Sequence, residues 1–453
     1  MSNNIIALAT PHGIGALAII RISGDTAIET TNILFKGKNL INQPSHTIHF
    51  GKLVHNGNII DEVLISLFKA PHSFTKEHSV EISCHGSPLI VQKIIEAFLE
   101  LGVSLAKPGE FTQRAFLNGR FDLTQAEAVS DLINADSDAA HEAALHQMRG
   151  GFSAKIKALR QQLIWFASLI ELELDFGEED VEFAERKDLE KLITELQYAI
   201  SELVTSFQTG NAIKNGIPTV IAGKPNAGKS TLLNALLNEE KAIVSEIPGT
   251  TRDFIEDTLH LSGITFRFTD TAGLRESQDK IEQIGVQRTY EKMNQSALIL
   301  YMFDITTTSI EELRKETTEL ERLQKPYILV GNKQDIATTK DLIDIENSFK
   351  NVAFISAHKQ IGLDELKKAI LSAVKAETFK TGNTMVTNLR HYESLLRTQQ
   401  DLQHVMNGLK NGTTGDILAM DIRHALFELG QITGEITTED LLDTIFSKFC
   451  IGK

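Results

Sequence analysis

The octapeptide GKPNAGKS, Gly223 to Ser230, has the spacing G-x-x-x-x-G-K-[ST] of a loop that wraps phosphate groups. Glycines let backbone N–H groups turn toward a polyphosphate, a lysine brings positive charge, and a hydroxyl reaches a divalent ion. Asn226, Ala227, Gly228, Lys229, Ser230 and Thr231 are the expected phosphate contacts. Lys229 offsets β- and γ-phosphate charge, and Ser230 is a Mg²⁺ ligand. PGTTRD, Pro248 to Asp253, comes next and offers Thr250 and Thr251 to metal and γ-phosphate; Ser245, Glu246, Ile247, Pro248 and Gly249 lead into the same contact. In DTAG, Asp270 can hold Mg²⁺ through water and the Gly273 N–H can face the γ-phosphate, with Thr271 and Ala272 between them. In NKQD, Asn332 and Lys333 precede Asp335, whose carboxylate can accept hydrogen bonds from guanine N1–H and N2–H₂, a pair adenine cannot supply. Ser356, Ala357 and His358 (SAH) close the base pocket. In this order, each at the C-terminal end of a strand, these peptides specify a GTPase.

Two positions bear on hydrolysis. Residue 274, after DTAG, is Leu, where small signalling GTPases carry a water-positioning Gln. Arg275, Glu276, Asp279 and Glu282 are the polar residues near enough in sequence to substitute for it. Asn226 places an amide oxygen inside the loop, where it either ligates a cation or forms the turn. A third position stands apart: the chain ends FCIGK, with Cys450, one of two cysteines in 453 residues, close to the terminus.

These residues need a scaffold. IPTVIAG, ITFRFTD, ALILYMFD, PYILVGNK and VAFISA read as buried strands separated mostly by helical stretches, which predicts a doubly wound parallel sheet. Before it, IIALAT, ALAIIRIS, EVLISLF and SVEISCH are short β-rich runs, and PLIVQKIIEAFLELG has helical spacing ending at Gly102. Helical texture dominates between these two regions and again at the end, where Thr437, Thr438 and Glu439 open a last helix. The fold class is therefore multidomain, α/β plus all-α. Residues 1–118 form a mixed α/β domain, 119–214 the first part of a helical domain, 215–377 an inserted Ras-like P-loop GTPase domain, and 378–453 the second helical part.

A net charge of −15 argues against bulk non-specific nucleic-acid binding while leaving room for an RNA held by a local patch or with a partner. No run approaches the ~18 apolar residues of a membrane span. The start lacks a basic segment ahead of its apolar stretch, and two distant cysteines do not make a disulfide framework, so a reducing cytoplasm is expected.

The stretches ATPHGIGALAIIRISG, FTKEHSVEISCHGS, KPGEFTQRAFLNGRFDLTQAEAVSDLI, GKPNAGKSTLLN, IPGTTRD, DTAGLRE and the terminal CIGK together resemble the MnmE (TrmE) family of bacterial tRNA-modification GTPases, in the TrmE-Era-EngA-YihA-Septin-like superfamily, along essentially the whole chain. Era-like RNA-binding ribosome-assembly GTPases, the alternative, share only the GTPase motifs; the C-terminal arm also shows no G-x-x-G loop flanked by basic residues. The resemblance implies an N-terminal domain that binds a tetrahydrofolate (5-formyl or 5,10-methylene) and forms a homodimer. Arg21, Glu81, Arg120 and Lys453 would be its folate residues. Arg120 stands where the family has Lys as often as Arg, which adds bidentate geometry. It also implies K⁺ in place of an arginine finger, with Asn226, Ser245, Ile247 and Thr250 as ligands. Ser245 replaces a common Thr. Glu282 would position water, and Cys450, carried to the folate pocket by the tail, would be a nucleophile or thiol acid–base. The implied partner is an FAD-binding protein, MnmG (GidA), in a heterotetramer. Its implied reaction puts an aminomethyl or carboxymethylaminomethyl group on C5 of the wobble uridine (U34) of certain tRNAs.

Overall fold

A computed structural model describes residues 4–175, 186–241, 257–268, 290–374 and 384–452. Packing divides the chain into two compact units, Met1–Asn134 with Leu145–Ser201 and Glu393–Lys453, and Ala135–Ala144 with Glu202–Tyr392.

The first unit begins with β1 (Ile5–Leu8), β2 (Leu17–Ser23), α1 (Ala27–Leu34), β3 (Phe35–Lys36), β4 (Thr47–His55), β5 (Asn58–Phe68), β6 (Ser79–His85), α2 (Pro88–Glu100), β7 (Ser104–Leu105) and α3 (Glu110–Leu117). The strands form one sheet in the order β3-β4-β5-β6-β2-β1-β7. Strand alternation sends Ile20, Ile22, Ile65 and Ile82 to one face, where Ile94, Ala97 and Phe98 of α2 complete a core. β4 departs from the usual pattern. Its apolar residues Ile48 and Phe50 face outward and His49 and Gly51 face inward.

Helices follow: α4 (Leu123–Asn134), α5 (Asp138–Met148), α6 (Gly151–Asp175) and α7 (Arg186–Asn215). The second unit holds β8 (Ile217–Gly223), α8 (Lys229–Lys241), β9 (Asp257–Leu261), β10 (Ile264–Phe268), β11 (Leu298–Asp304), α9 (Ile310–Arg322), β12 (Tyr327–Asn332), α10 (Thr339–Ser348), β13 (Val352–Phe354) and α11 (Leu363–Ala373). Its sheet runs β13-β12-β11-β8-β10-β9. All pairings are parallel except β9 with β10. That edge is a hairpin. Ser262 and Gly263 both take positive φ, 50° and 78°, and Leu261 pairs Ile264, the two-residue turn that suits antiparallel strands. An apolar core lies on each side of the sheet, one with Leu232, Leu236 and Leu366, the other with Leu313, Leu320 and Ile345. Helix starts are capped as their sequences require. The Ser309 hydroxyl accepts from Glu312 N at α9, and Thr338 with Asp341 closes a capping box at α10, each worth about 1 kcal/mol.

The chain ends with α12 (Leu389–Asn411), α13 (Gly415–Thr433) and α14 (Glu439–Phe446). Within the first unit, helices from before and after the inserted sheet pack on one another. The Arg423 guanidinium donates to Glu171 at 3.1 Å, Gln197 to Gln403 at 3.3 Å, and Arg160 pairs with Glu435. The helical layer is thus one body built from two separated segments. Its α14 is capped by the Thr438 hydroxyl and places Phe446 and Phe449 against Leu123 and Ala126 of α4. No helix among the described residues is long and apolar enough to cross a membrane.

Candidate functional site

The loop Gly223–Ser230 leaves the C-terminal end of β8 and runs into α8, so its N–H groups sit where a helix N-terminus favours anions. Asn226 (φ 62°) and Gly228 (φ 100°) give it its curl. A Cβ at Gly228 would collide with the Asn332 amide nitrogen, so glycine is required for space as well as for φ. The Lys229 ammonium is half-buried and donates to the carbonyls of Gly223 at 2.8 Å and Lys224 at 2.7 Å. Burial lowers its pKa from the usual lysine value. Ser230 is half-buried and Thr231 exposed in the first turn of α8.

Asn332 ends β12 and ties two loops together. Its Nδ2 donates to Ala227 O at 2.8 Å, and its Oδ1 accepts from Ala357 N at 3.0 Å. Asn332 is 5% exposed. Lys333, at positive φ, donates to Asp304 Oδ2 at 2.6 Å. Burial would raise the Asp304 carboxyl, but the Lys333 ammonium with the Thr306 hydroxyl and amide outweighs it and holds the pKa below the ordinary value. Asp335 is held below the carboxylate range first by the hydrogen bond from Ser356, with Lys359 3.5 Å away adding to it. Ser356 and Ala357 are buried and His358 is exposed. The phosphate loop and the NKQD and SAH residues therefore meet at the C-terminal ends of the parallel strands of one sheet. Asp304 was not picked out by sequence reasoning, although it ends the strand ALILYMFD in the same way that Asn332 ends the next. A cavity of about 400 Å³ opens beside the loop, lined by Lys224, Asn226, Tyr301, Asp304, Thr308 and Glu312.

Ser245, Glu246, Ile247, Pro248, Gly249, Thr250, Thr251, Asp270, Thr271, Ala272, Gly273, Glu282 and Lys453 lie outside the described residues.

A second cluster forms in the first unit. Arg21 on β2 stands directly across from Glu81 on β6, and its Nε and Nη2 donate to Glu81 Oε1 at 3.0 and 2.7 Å. Arg21 Nη1 reaches Gly452 O at 3.5 Å. The tail is seated there. Gly109 N donates to Cys450 O at 3.3 Å, and Gly452, at φ 93°, lies so close to Leu8 O that a Cβ would not fit. Arg120 Nη1 donates to Ser73 O at 2.8 Å, and its guanidinium carbon is 4.9 Å from the ring centres of both Phe74 and Phe121. Desolvation first, then the nearby Arg21 charge, lowers the Arg120 pKa.

The two cysteines differ in kind. Cys84 is buried on β6, and burial, with the Asp61 charge, raises its thiol pKa to about 11. Cys450 is exposed. Iodoacetamide at neutral pH therefore alkylates Cys450 and spares Cys84 in the folded protein, as peptide mass spectrometry will show; denaturation exposes both.

The doubly wound sheet, its strand–loop–helix phosphate cradle and the NKQD and SAH residues at the same strand ends define a P-loop GTPase domain, here inserted into a helical domain behind an α/β domain. Family models agree with this layout. The model described as the MnmE helical domain matches residues 123–450, and that of the GTP-binding protein TrmE N-terminus matches 4–120. The tRNA modification GTPase MnmE of Cytophaga hutchinsonii is 57% identical over 452 residues, covering 100% of this chain and 98% of that protein. Those of Flavobacterium johnsoniae and Bacteroides thetaiotaomicron are 50% and 48% identical, each covering 100% of this chain and 99% of the relative. The chain belongs to the MnmE family of tRNA modification GTPases, and its enzyme class is GTP hydrolase.

Proposed function

We propose that the protein is the GTP-hydrolysing, folate-binding subunit of a complex that modifies C5 of the wobble uridine of certain tRNAs. It would work in the cytoplasm with an FAD-binding MnmG partner that carries the redox chemistry. The observation that carries the reading is the likeness to MnmE proteins over the whole chain, so that the phosphate loop and the Arg21–Glu81–Arg120 cluster belong to one polypeptide. The four-part division at 118, 214 and 377 belongs to the same proposal.

In the GTPase domain Lys229 exchanges two backbone carbonyls for β- and γ-phosphate oxygens. Ser230 and Thr251 hold Mg²⁺, with Asp270 acting on it through water. The exposed Asn226, at the open side of the loop, fits a side-chain ligand of K⁺, with Ser245, Ile247 and Thr250 as its companions. A monovalent cation beside the β- and γ-phosphates supplies the charge neutralisation an arginine finger would. Asp335 reads guanine, and Glu282 positions the attacking water. In the N-terminal domain a cationic, ring-lined cluster suits a planar anionic ligand such as 5-formyl- or 5,10-methylene-tetrahydrofolate. Arg21, Glu81, Arg120 and Lys453 bind it, and Cys450 acts beside it. Two measurements test the ligand assignments. GTP turnover in KCl should exceed that in NaCl at equal ionic strength, and equal rates would remove K⁺ from the account. 5-Formyl-tetrahydrofolate should bind the protein without its partner.

The homodimer has support in the first sheet. Phe50, Leu64, Ser83 and Ile19 form one row across β4, β5, β6 and β2, and Phe50 and Leu64 are exposed, with Ile48 and Leu17 beside the row. An apolar sheet face of this kind fits a second copy of itself. Phe50→Asp replaces a ring in that face by a charge, and the dimer dissociation constant should rise by about a hundredfold or more, read by sedimentation.

A further inference from the structure

Five side chains of the first unit alternate ring and guanidinium, Phe111, Arg21, Phe74, Arg120 and Phe121. Arg21 lies 5.8 Å from the Phe111 ring centre and 5.4 Å from that of Phe74; Arg120 lies 4.9 Å from Phe74 and 4.9 Å from Phe121. Phe74 is the middle rung, the one ring among the described residues shared by both cations. We infer that Phe74 is a positioning residue of the ligand site: it holds Arg120 at a fixed place beside the Arg21–Glu81 pair so that the Arg120 fork meets the carboxylate of an anionic ligand. The inference rests on the folate reading for the identity of that ligand.

Three observations carry it. First, the placement of Phe74 is over-determined. The loop bearing it and the turn bearing Arg120 are joined residue by residue. Asn118 Nδ2 donates to Thr75 O at 2.7 Å, Lys76 Nζ to Gly119 O at 2.9 Å and Arg120 Nη1 to Ser73 O at 2.8 Å, while the Phe74 and Phe121 rings meet edge to face at 6.0 Å. Second, the two arginines differ in what they have left to offer. Arg21 already gives Nε and Nη2 to Glu81. Arg120 has no acidic partner among the described residues, and most of its planar fork is available to a carboxylate. Third, the guanidinium carbons of Arg21 and Arg120 lie 5.4 and 4.9 Å from the centre of the same Phe74 ring, whose negative π face offsets part of the repulsion between the two charges. Without Phe74 the Arg120 side chain gains rotamer freedom, and binding must order it again.

The test compares the full-length protein with Phe74→Leu and Phe74→Tyr. Leucine keeps apolar bulk and removes the π face; tyrosine keeps it. 5-Formyl-tetrahydrofolate titrated onto each should bind Phe74→Leu about tenfold more weakly than wild type and Phe74→Tyr within about twofold. GTP turnover should match wild type in both, and the melting temperature should stay within a few degrees of it, about the loss of one ring contact, which separates the effect from misfolding. A second readout needs no folate: phenylglyoxal modification of Arg120, followed by peptide mass spectrometry, should be severalfold faster in Phe74→Leu and restored in Phe74→Tyr. If wild type binds 5-formyl-tetrahydrofolate and Phe74→Leu binds it equally, the inference is overturned. If wild type binds none, the folate reading fails instead, and the phenylglyoxal rates decide: equal rates overturn the positioning role, and a faster rate in Phe74→Leu alone upholds it.

Discussion

Lys229→Met lowers the single-turnover rate of GTP hydrolysis by about a thousandfold, the scale of losing one preorganised charge from a transition state. Methionine keeps the unbranched stem that packs at the start of α8 and removes only the ammonium. The structure shows that ammonium docked on the carbonyls of Gly223 and Lys224, inside the curl of its own loop. Half-buried there, it already carries part of the desolvation cost that contact with phosphate requires, and this is why its pKa is lowered. A triphosphate offers stronger acceptors than two peptide carbonyls, so the switch of partners costs little. Fluorescent-nucleotide binding beside the rate measurement separates affinity from turnover, and the melting temperature reports on the loop itself. Unchanged turnover in Lys229→Met would mean that GKPNAGKS is a turn and not a phosphate cradle.

Asp335→Asn is the second large effect. It lowers GTP affinity by about 10³-fold or more and raises affinity for xanthosine triphosphate, because the new amide donates where guanine also donates and where xanthine accepts. The carboxylate is held ionised by Ser356 and Lys359. Its folded pKa is depressed, so its acceptor form persists as pH falls below the ordinary carboxylate range. The guanine-over-xanthine preference of the wild type should therefore persist as pH falls into the ordinary carboxylate range, about pH 4, and be lost only below it. Competition titration with the two nucleotides checks both statements. An Asp335→Asn protein that still prefers GTP would place base recognition elsewhere.

The GTPase domain was readable from sequence because its chemistry is local. The phosphate loop, NKQD and SAH are contiguous peptides, and each closes a strand of buried residues that announces itself as a β-rich run. Its antiparallel edge was harder. DTLHL is short, and only the Ser262–Gly263 turn makes it a partner of β10. In the first domain β4 escaped notice for a physical reason. Alternation normally marks a strand by apolar residues facing inward, and here Ile48 and Phe50 face outward while two of the three buried positions are His49 and Gly51, with only Leu53 apolar and inward. The Arg21–Glu81 pair could be suggested only by family likeness, since the two residues are 60 positions apart and meet through the register of β2 on β6. The aromatic rungs Phe74, Phe111 and Phe121 carried no signal at all, because a lone Phe in sequence reads as core. The seating of FCIGK rests on Gly109 and Leu8, each distant along the chain, so no local reading could have found it.

The central claim is that GTP hydrolysis by this chain serves modification of tRNA. Nucleoside mass spectrometry of total tRNA from cells lacking the protein tests it most directly, with cells re-expressing wild type or Lys229→Met alongside. The account predicts loss of the C5 aminomethyl or carboxymethylaminomethyl uridines in the deletion, restored by wild type and not by Lys229→Met. A deletion strain whose wobble uridines keep those groups at the wild-type level would contradict it.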